Sequence, residues 1–199
     1  MARVGILGGT FNPPHVAHLI CASEAAAQLR LDRVLLTPVC VPPHKQPRKD
    51  PGAAERLELC RRAAAGDDRL DVCDLEVARG GPSYTVDTLR ELRERMPDDD
   101  LTFILGGDVA HGLASWREPE VVLELATLAV AERAGAVRGD IAERLREAFG
   151  DAGSVEFFDM PRIDISSSEI RRRVAEGRPI RYLVTDAVLE RIERSGLYR

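Results

Sequence analysis

The chain has 199 residues and a formal net charge of −5, with 44% hydrophobic and 31% charged residues. That make-up fits a globular chain with enough length for a sizeable core, expected to fold as one domain over 1–199. It speaks against a nucleic-acid partner, which asks for a basic surface, and no apolar run is long enough to cross a bilayer, so no membrane partner is expected.

Residues 3–7 are a short apolar run stopped by glycines, which suits a strand. Residues 15–31 are rich in Ala, Leu and Glu and suit a helix. The run RVLLT at 33–37 is a second buried strand. Residues 38–51 hold five prolines and the chain's only lysines, Lys45 and Lys49, and form a loop. Residues 52–65 are helical. Residues 70–77 look like a strand, but their acids place it near an edge. A helix over 84–96 is stopped by Pro97, and LTFIL at 101–105 is a third buried strand ending at Gly106 and Gly107. Then come a helix at 119–125, a strand at 127–131, a helix at 140–149 and a strand at 155–158. Helices at 167–176 and 185–195 close the chain.

Apolar strands alternating with helices imply an α/β fold: a doubly wound, mainly parallel sheet with helices on both faces and a small C-terminal helical segment. Ligands of such sheets bind beyond the carboxyl ends of the strands. The glycines after Leu7 and Leu105 both fall there. Cys21, Cys40, Cys60 and Cys73 form no C-x-x-C pair and read as reduced core residues. The N-terminus lacks a signal-peptide pattern, so a cytoplasmic location is expected.

The stretch GILGGTFNPPHVAH, residues 5–18, carries the first chemistry. A dinucleotide loop wants G-x-G-x-x-G, and Gly5, Gly8 and Gly9 have the wrong spacing. No Gly-Lys-Ser/Thr occurs anywhere, which removes a Walker loop. Two histidines three residues apart are too few for a metal unless a ligand distant in sequence joins them. A phosphate cradle fits: Gly8 and Gly9 let a ligand approach the backbone, and His15 and His18 stand in the first helical turn, where an anion is already favoured. The plainer alternative is a Pro-capped turn with two surface histidines.

GGTFNPPHVAH resembles the G-G-T-F-D-P-x-H-x-G-H signature of the nucleotidyltransferases that transfer AMP or CMP. Asn12 stands where the family usually has Asp, and Ala17 where it has Gly. ISSSEIRRR at 165–173 is similar to the superfamily's I-S-S-T-x-I-R motif. Ser166 and Glu169 form a capping box there, Ser167 and Ser168 add hydroxyls, and Arg171 offers a fork to phosphate. VPPHKQP at 41–47, GGPSYTVDTL at 80–89 and FILGGDVAHGLASW at 103–116 resemble stretches of bacterial nicotinate-nucleotide adenylyltransferases. Ser83 or Thr85 is expected to cap the helix that follows.

The resemblance implies that the chain joins ATP and nicotinic acid mononucleotide into deamido-NAD with release of pyrophosphate. It implies His15 and His18 at the reacting phosphates. Gly8, Gly9, Thr10, Phe11, His44, Lys45, Ser167, Ser168 and Arg171 would hold ATP. Tyr84, Thr85, Asp108, Trp116 and Arg133 would hold the nicotinate nucleotide. Mg²⁺ would be held mainly by the ATP phosphates, with no protein metal cluster. The alternative is a sibling adenylyltransferase for nicotinamide mononucleotide or a pantetheine phosphate. A cytidylyltransferase and a regulator that binds nucleotide without catalysis lie further off. The sequence leaves a homo-oligomer open.

Overall fold

Six strands, β1 (Arg3–Gly9), β2 (Arg33–Pro38), β3 (Leu70–Val72), β4 (Asp100–Gly106), β5 (Thr127–Glu132) and β6 (Val155–Asp159), build one parallel sheet. The structure, a computed structural model, describes residues 1–43, 49–132, 138–150 and 154–199. The sheet order is β3-β2-β1-β4-β5-β6. The chain winds outward from β1 to β3, returns to β4 beside β1, and winds outward the other way. That reversal is the doubly wound α/β topology the sequence implies, with a switch point between β1 and β4. Arg3 to Leu7 pair in register with Asp100 to Ile104. The pairs β4–β5 and β5–β6 are also parallel.

The helices are α1 (Val16–Gln28), α2 (Ala53–Ala64), α3 (Leu75–Arg79), α4 (Thr85–Arg95), α5 (Gly107–Ala110), α6 (Pro119–Leu125), α7 (Arg138–Phe149), α8 (Ser167–Ala175) and α9 (Asp186–Ser195). The expected strand over 70–77 is corrected: pairing stops at Val72, and Leu75–Arg79 is a helical turn. The strand does lie at the sheet edge. Its acids do not suit a longer ladder, whereas Leu, Glu, Ala and Arg favour helix. The cysteines also divide: all are free, but only Cys21 and Cys60 are buried, while Cys40 and Cys73 are half-buried.

By Cα proximity the chain divides into two compact units. The first holds residues 1–8, 21–35 and 84–162. Its strands are apolar along their length because both faces of a parallel sheet are covered; Val4, Ile6, Val34, Leu128 and Val130 are fully buried. Within it α4 packs on α6. Gly5 is required by close approach: a Cβ there would lie 2.8 Å from Leu31 Cδ1 and 2.9 Å from Ile104 Cδ1.

The second unit holds residues 9–20, 36–83 and 163–199. Here α2 packs on α9 and on β3. Leu59, Ile170, Val188 and Ile192 form its apolar centre, with Tyr198 against them. Arg191 forks onto the Glu55 carboxylate with two 2.7 Å bonds, joining α9 to α2. That pair holds the Glu55 carboxyl below its ordinary range, mainly through the hydrogen bonds.

Candidate active site

Beyond β1 the chain turns through Thr10, Phe11, Asn12, Pro13 and Pro14 into α1. The helix α1 runs Val16–Gln28, starting one residue later and ending three residues earlier than expected. His15 then serves as the cap: its carbonyl accepts the His18 N–H at 2.9 Å. Phe11 adopts φ 47 and its buried ring meets His18 edge-on, 4.9 Å between centroids. The space under that ring is made by Gly9, where a Cβ would stand 3.1 Å from Phe11 Cζ.

The two histidines come together closely. Their rings stack at 3.7 Å with an interplanar angle of 22°. The His15 backbone N–H donates to His18 Nδ1 at 3.1 Å. His18 therefore carries its proton on Nε2, which stays available as a donor. Burial pulls His15 from the ordinary 6.5 down to about 4. Burial, and then the neighbouring His15, also hold His18 well below 6.5. Both imidazoles are neutral near pH 7. An anion placed against them opposes that shift, because an opposite charge favours the protonated form.

Among the described residues, three buried polar atoms in this turn have no partner: Asn12 Oδ1, Asn12 Nδ2 and His15 Nδ1. Buried polar groups are usually satisfied. Orphans concentrated on one turn mark a place built to meet a polar ligand.

The C-terminal motif lands on this turn. Ser167 Oγ donates to Pro13 O at 2.8 Å, and Arg171 Nη1 donates to Asn12 O at 2.7 Å. Arg171 Nη2 also donates to Ser168 Oγ at 3.1 Å. Ser166 caps α8 as its sequence foretells, accepting from the Glu169 N–H at 3.2 Å. The Glu169 carboxylate does not complete the box; it bonds Arg172 and Arg173, the (i, i+3) and (i, i+4) partners on its own helix face. Thus Thr10 to His18 and Ser167 to Arg171 form one cluster at the N-terminal ends of two helices.

Sequence reasoning missed Arg56. Its side chain is fully buried. Nε donates to Asp50 Oδ1 at 2.9 Å. Nη1 donates to Thr10 O at 3.0 Å and Val39 O at 2.6 Å, and Nη2 to Cys40 O at 2.8 Å. Only its place on the buried side of an amphipathic helix gives it away, since charged residues there are rare unless paired.

The residues expected at the pyridine ring lie in the first unit. Asp108 falls in α5, just past the end of β4. Trp116 is half-buried and packs edge-to-face on Phe103, 6.0 Å between centroids at 84°. Tyr84 stands at the N-cap of α4 with no side-chain cap, and Thr85 opens the helix. The expectation that Ser83 or Thr85 caps α4 is corrected. Ser83 Oγ instead accepts the Cys40 N–H at 2.9 Å, and its own N–H donates to Val41 O. Arg117, not foreseen, lies 4.9 Å over the Tyr84 ring and bonds Asp87 at 3.4 Å. His44, Lys45 and Arg133 lie outside the described residues.

Among the described residues no helix is long and apolar enough to cross a membrane, and no three His, Cys, Asp or Glu side chains converge as a metal site.

Comparison with known proteins identifies the family. The cytidylyltransferase-like family model matches residues 6–173. A Thermus thermophilus protein named "probable nicotinate-nucleotide adenylyltransferase" is 46% identical, covering 99% of this chain and 100% of that protein. One of the same name from Shouchella clausii is 40% identical over 100% of this chain and 97% of its own length. In fold, the chain is similar to the Plasmodium falciparum nicotinic acid mononucleotide adenylyltransferase solved with NaAD. The TM-score is 0.79 at 19% identity, covering 100% of this chain and 98% of that one. The same protein solved with APC gives a TM-score of 0.78 at 18% identity, with the same coverage. With a family model that spans both motifs and relatives that match end to end, the chain belongs to the nicotinate-nucleotide adenylyltransferases of the cytidylyltransferase-like family.

Proposed function

We propose that this chain transfers AMP from ATP to nicotinic acid mononucleotide, giving deamido-NAD and pyrophosphate, in the cytoplasm and with residues 1–199 acting as one nucleotidyltransferase domain. The observation that carries the reading is the stacked pair His15–His18, beside the unpartnered Asn12 amide and the Ser167–Arg171 helix start. Every group there is a hydrogen-bond donor or can become one. Such a set suits phosphate oxygens.

The reaction needs no protein nucleophile. An oxygen of the mononucleotide 5′-phosphate attacks the α-phosphorus of ATP in line. The new P–O bond forms as the bond to the bridging oxygen of pyrophosphate breaks, and the electron pair leaves with pyrophosphate. His18 Nε2–H and His15 would donate to the phosphoryl oxygens. Each gains strength as negative charge spreads in the transition state. Gly8, Gly9, Thr10 and Phe11 would supply backbone approach; Ser167, Ser168 and Arg171 would hold the far phosphates, with His44 and Lys45 as further phosphate ligands. The donor set is made for anions, so a Mg²⁺ ion fits as one borne by the triphosphate and water. When bound it neutralises phosphate charge.

We place the pyridine ring against Trp116 and its carboxylate at the free N–H groups that open α4, beside Tyr84 and Thr85. Asp108 would accept from a ribose hydroxyl, and Arg133 would add a positive charge. The direct experiment supplies ATP and Mg²⁺ with nicotinic acid mononucleotide, nicotinamide mononucleotide or a pantetheine phosphate, and follows pyrophosphate. Release with the nicotinate substrate at much the highest kcat/KM is expected. Equal values for the nicotinate and nicotinamide forms would reject carboxylate recognition.

A further inference from the structure

Arg56 makes no hydrogen bond to either histidine or to the α8 motif among the described residues, yet three of its four bonds go to the backbone around the cradle. It is the largest fully buried side chain among the described residues. A buried guanidinium is costly unless its donors are met, and here Nε, Nη1 and Nη2 all bond. Three of the four bonds end on main-chain carbonyls rather than on a carboxylate. That is how a chain fixes peptide orientation.

In a trans peptide the C=O and the N–H of the same unit point in opposite directions. The Thr10 carbonyl faces Arg56, so the Phe11 N–H points away from it. The preceding unit is held too: the Val39 N–H donates to Gly9 O at 3.0 Å, which turns the Thr10 N–H the opposite way. Two consecutive peptide units are thus held by their carbonyls, leading into the turn where Asn12 and His15 keep their unpartnered atoms. The same guanidinium holds Val39, Cys40 and Asp50, at the two ends of the Pro-rich loop.

We propose that Arg56 is a positioning residue of the ATP site: by gripping the Thr10 carbonyl it aims the Phe11 N–H at the triphosphate, and by gripping Val39, whose own N–H holds the Gly9 carbonyl, it steadies the Thr10 N–H beside it. This rests on the adenylyl-transfer reading of the site. The residue acts on ATP rather than on the mononucleotide, and that difference is measurable.

The test compares wild type with Arg56→Lys, which keeps a cation but has no fork to span two loops. The expected result is a KM for ATP raised about tenfold or more, the scale of losing hydrogen bonds to a charged group, with the KM for the mononucleotide within about twofold. A merely structural residue would lower the folded fraction, and with it kcat, leaving both KM values alone; that result overturns the proposal, as does an equal rise in both. If the lysine variant does not fold, Asp50→Ala removes the acceptor of the Nε bond while the carbonyl bonds remain. A rise confined to the ATP KM supports the proposal, and no change or a rise in both overturns it. Calorimetric titration with ATP alone separates the two layers. Should wild type bind ATP but transfer no AMP, the functional reading fails, and the ATP affinity of Arg56→Lys still decides the role of Arg56.

Discussion

His15 makes acid stability a readout of the site. Its imidazole is held at about 4 against an ordinary 6.5, through burial. The folded-state value is the lower one. Above pH 6.5 the residue is neutral in both states and costs nothing. Between 6.5 and 4 the unfolded chain takes up a proton that the folded chain refuses, so stability falls as pH falls, by about 1.4 kcal/mol per pH unit. Carried from pH 7 to pH 5, the loss from this one group is about 2 kcal/mol. His15→Gln removes the titration while keeping a polar side chain of similar reach. Urea unfolding at both pH values, followed by circular dichroism at constant ionic strength, measures it. The wild-type midpoint should drop by about 1 M urea more than the variant's on acidification. Carboxylates and His18 titrate in both proteins and cancel to first order. If the two proteins lose the same stability between pH 7 and pH 5, His15 is not buried as a neutral ring and the reasoning is wrong.

Two further changes probe the site and its support. His18→Ala should lower kcat by about 10²–10³, the scale of removing one transition-state donor; a variant within about threefold of wild type would remove His18 from the chemistry. Ile170→Ala, at a fully buried side chain of the second unit's core, should cost about 2–5 kcal/mol in denaturant unfolding through lost burial and a cavity. A loss under about 1 kcal/mol would mean that α8 is not anchored there.

Much of this was legible because local chemistry and fold agree. The strands of VGILG and LTFIL announce themselves as apolar runs stopped by glycine. The Ser166 cap follows from its spacing to Glu169. The pairing of the two motifs was legible only by resemblance, for nothing local in ISSSEIR says that Ser167 and Arg171 end on Pro13 and Asn12. Long-range partners explain the misses as well. Ser83 looks like an N-cap in sequence, but the Cys40 N–H claims its hydroxyl. Arg56 reads as one more helix arginine until the loops that surround it are in place. The stretch 70–77 fails differently: its alternation suits either element, and only the edge position and the helical preference of Leu75–Arg79 decide.

The bonds from Ser167 to Pro13 and from Arg171 to Asn12 span 154 and 159 residues of sequence. Read in time, that distance is an interval. At about 5–20 residues per second the ribosome releases the glycine turn roughly 8–30 s before the serines that brace it. Through that interval the Pro13 and Asn12 carbonyls have water as their company, and the first strands must persist without the α8 brace. A chain stalled short of Ser167 carries both histidines but neither bond to α8. On the adenylyl-transfer reading, an ATP-resin capture of stalled chains of increasing length should turn on only once α8 is outside the ribosome and can form those two bonds.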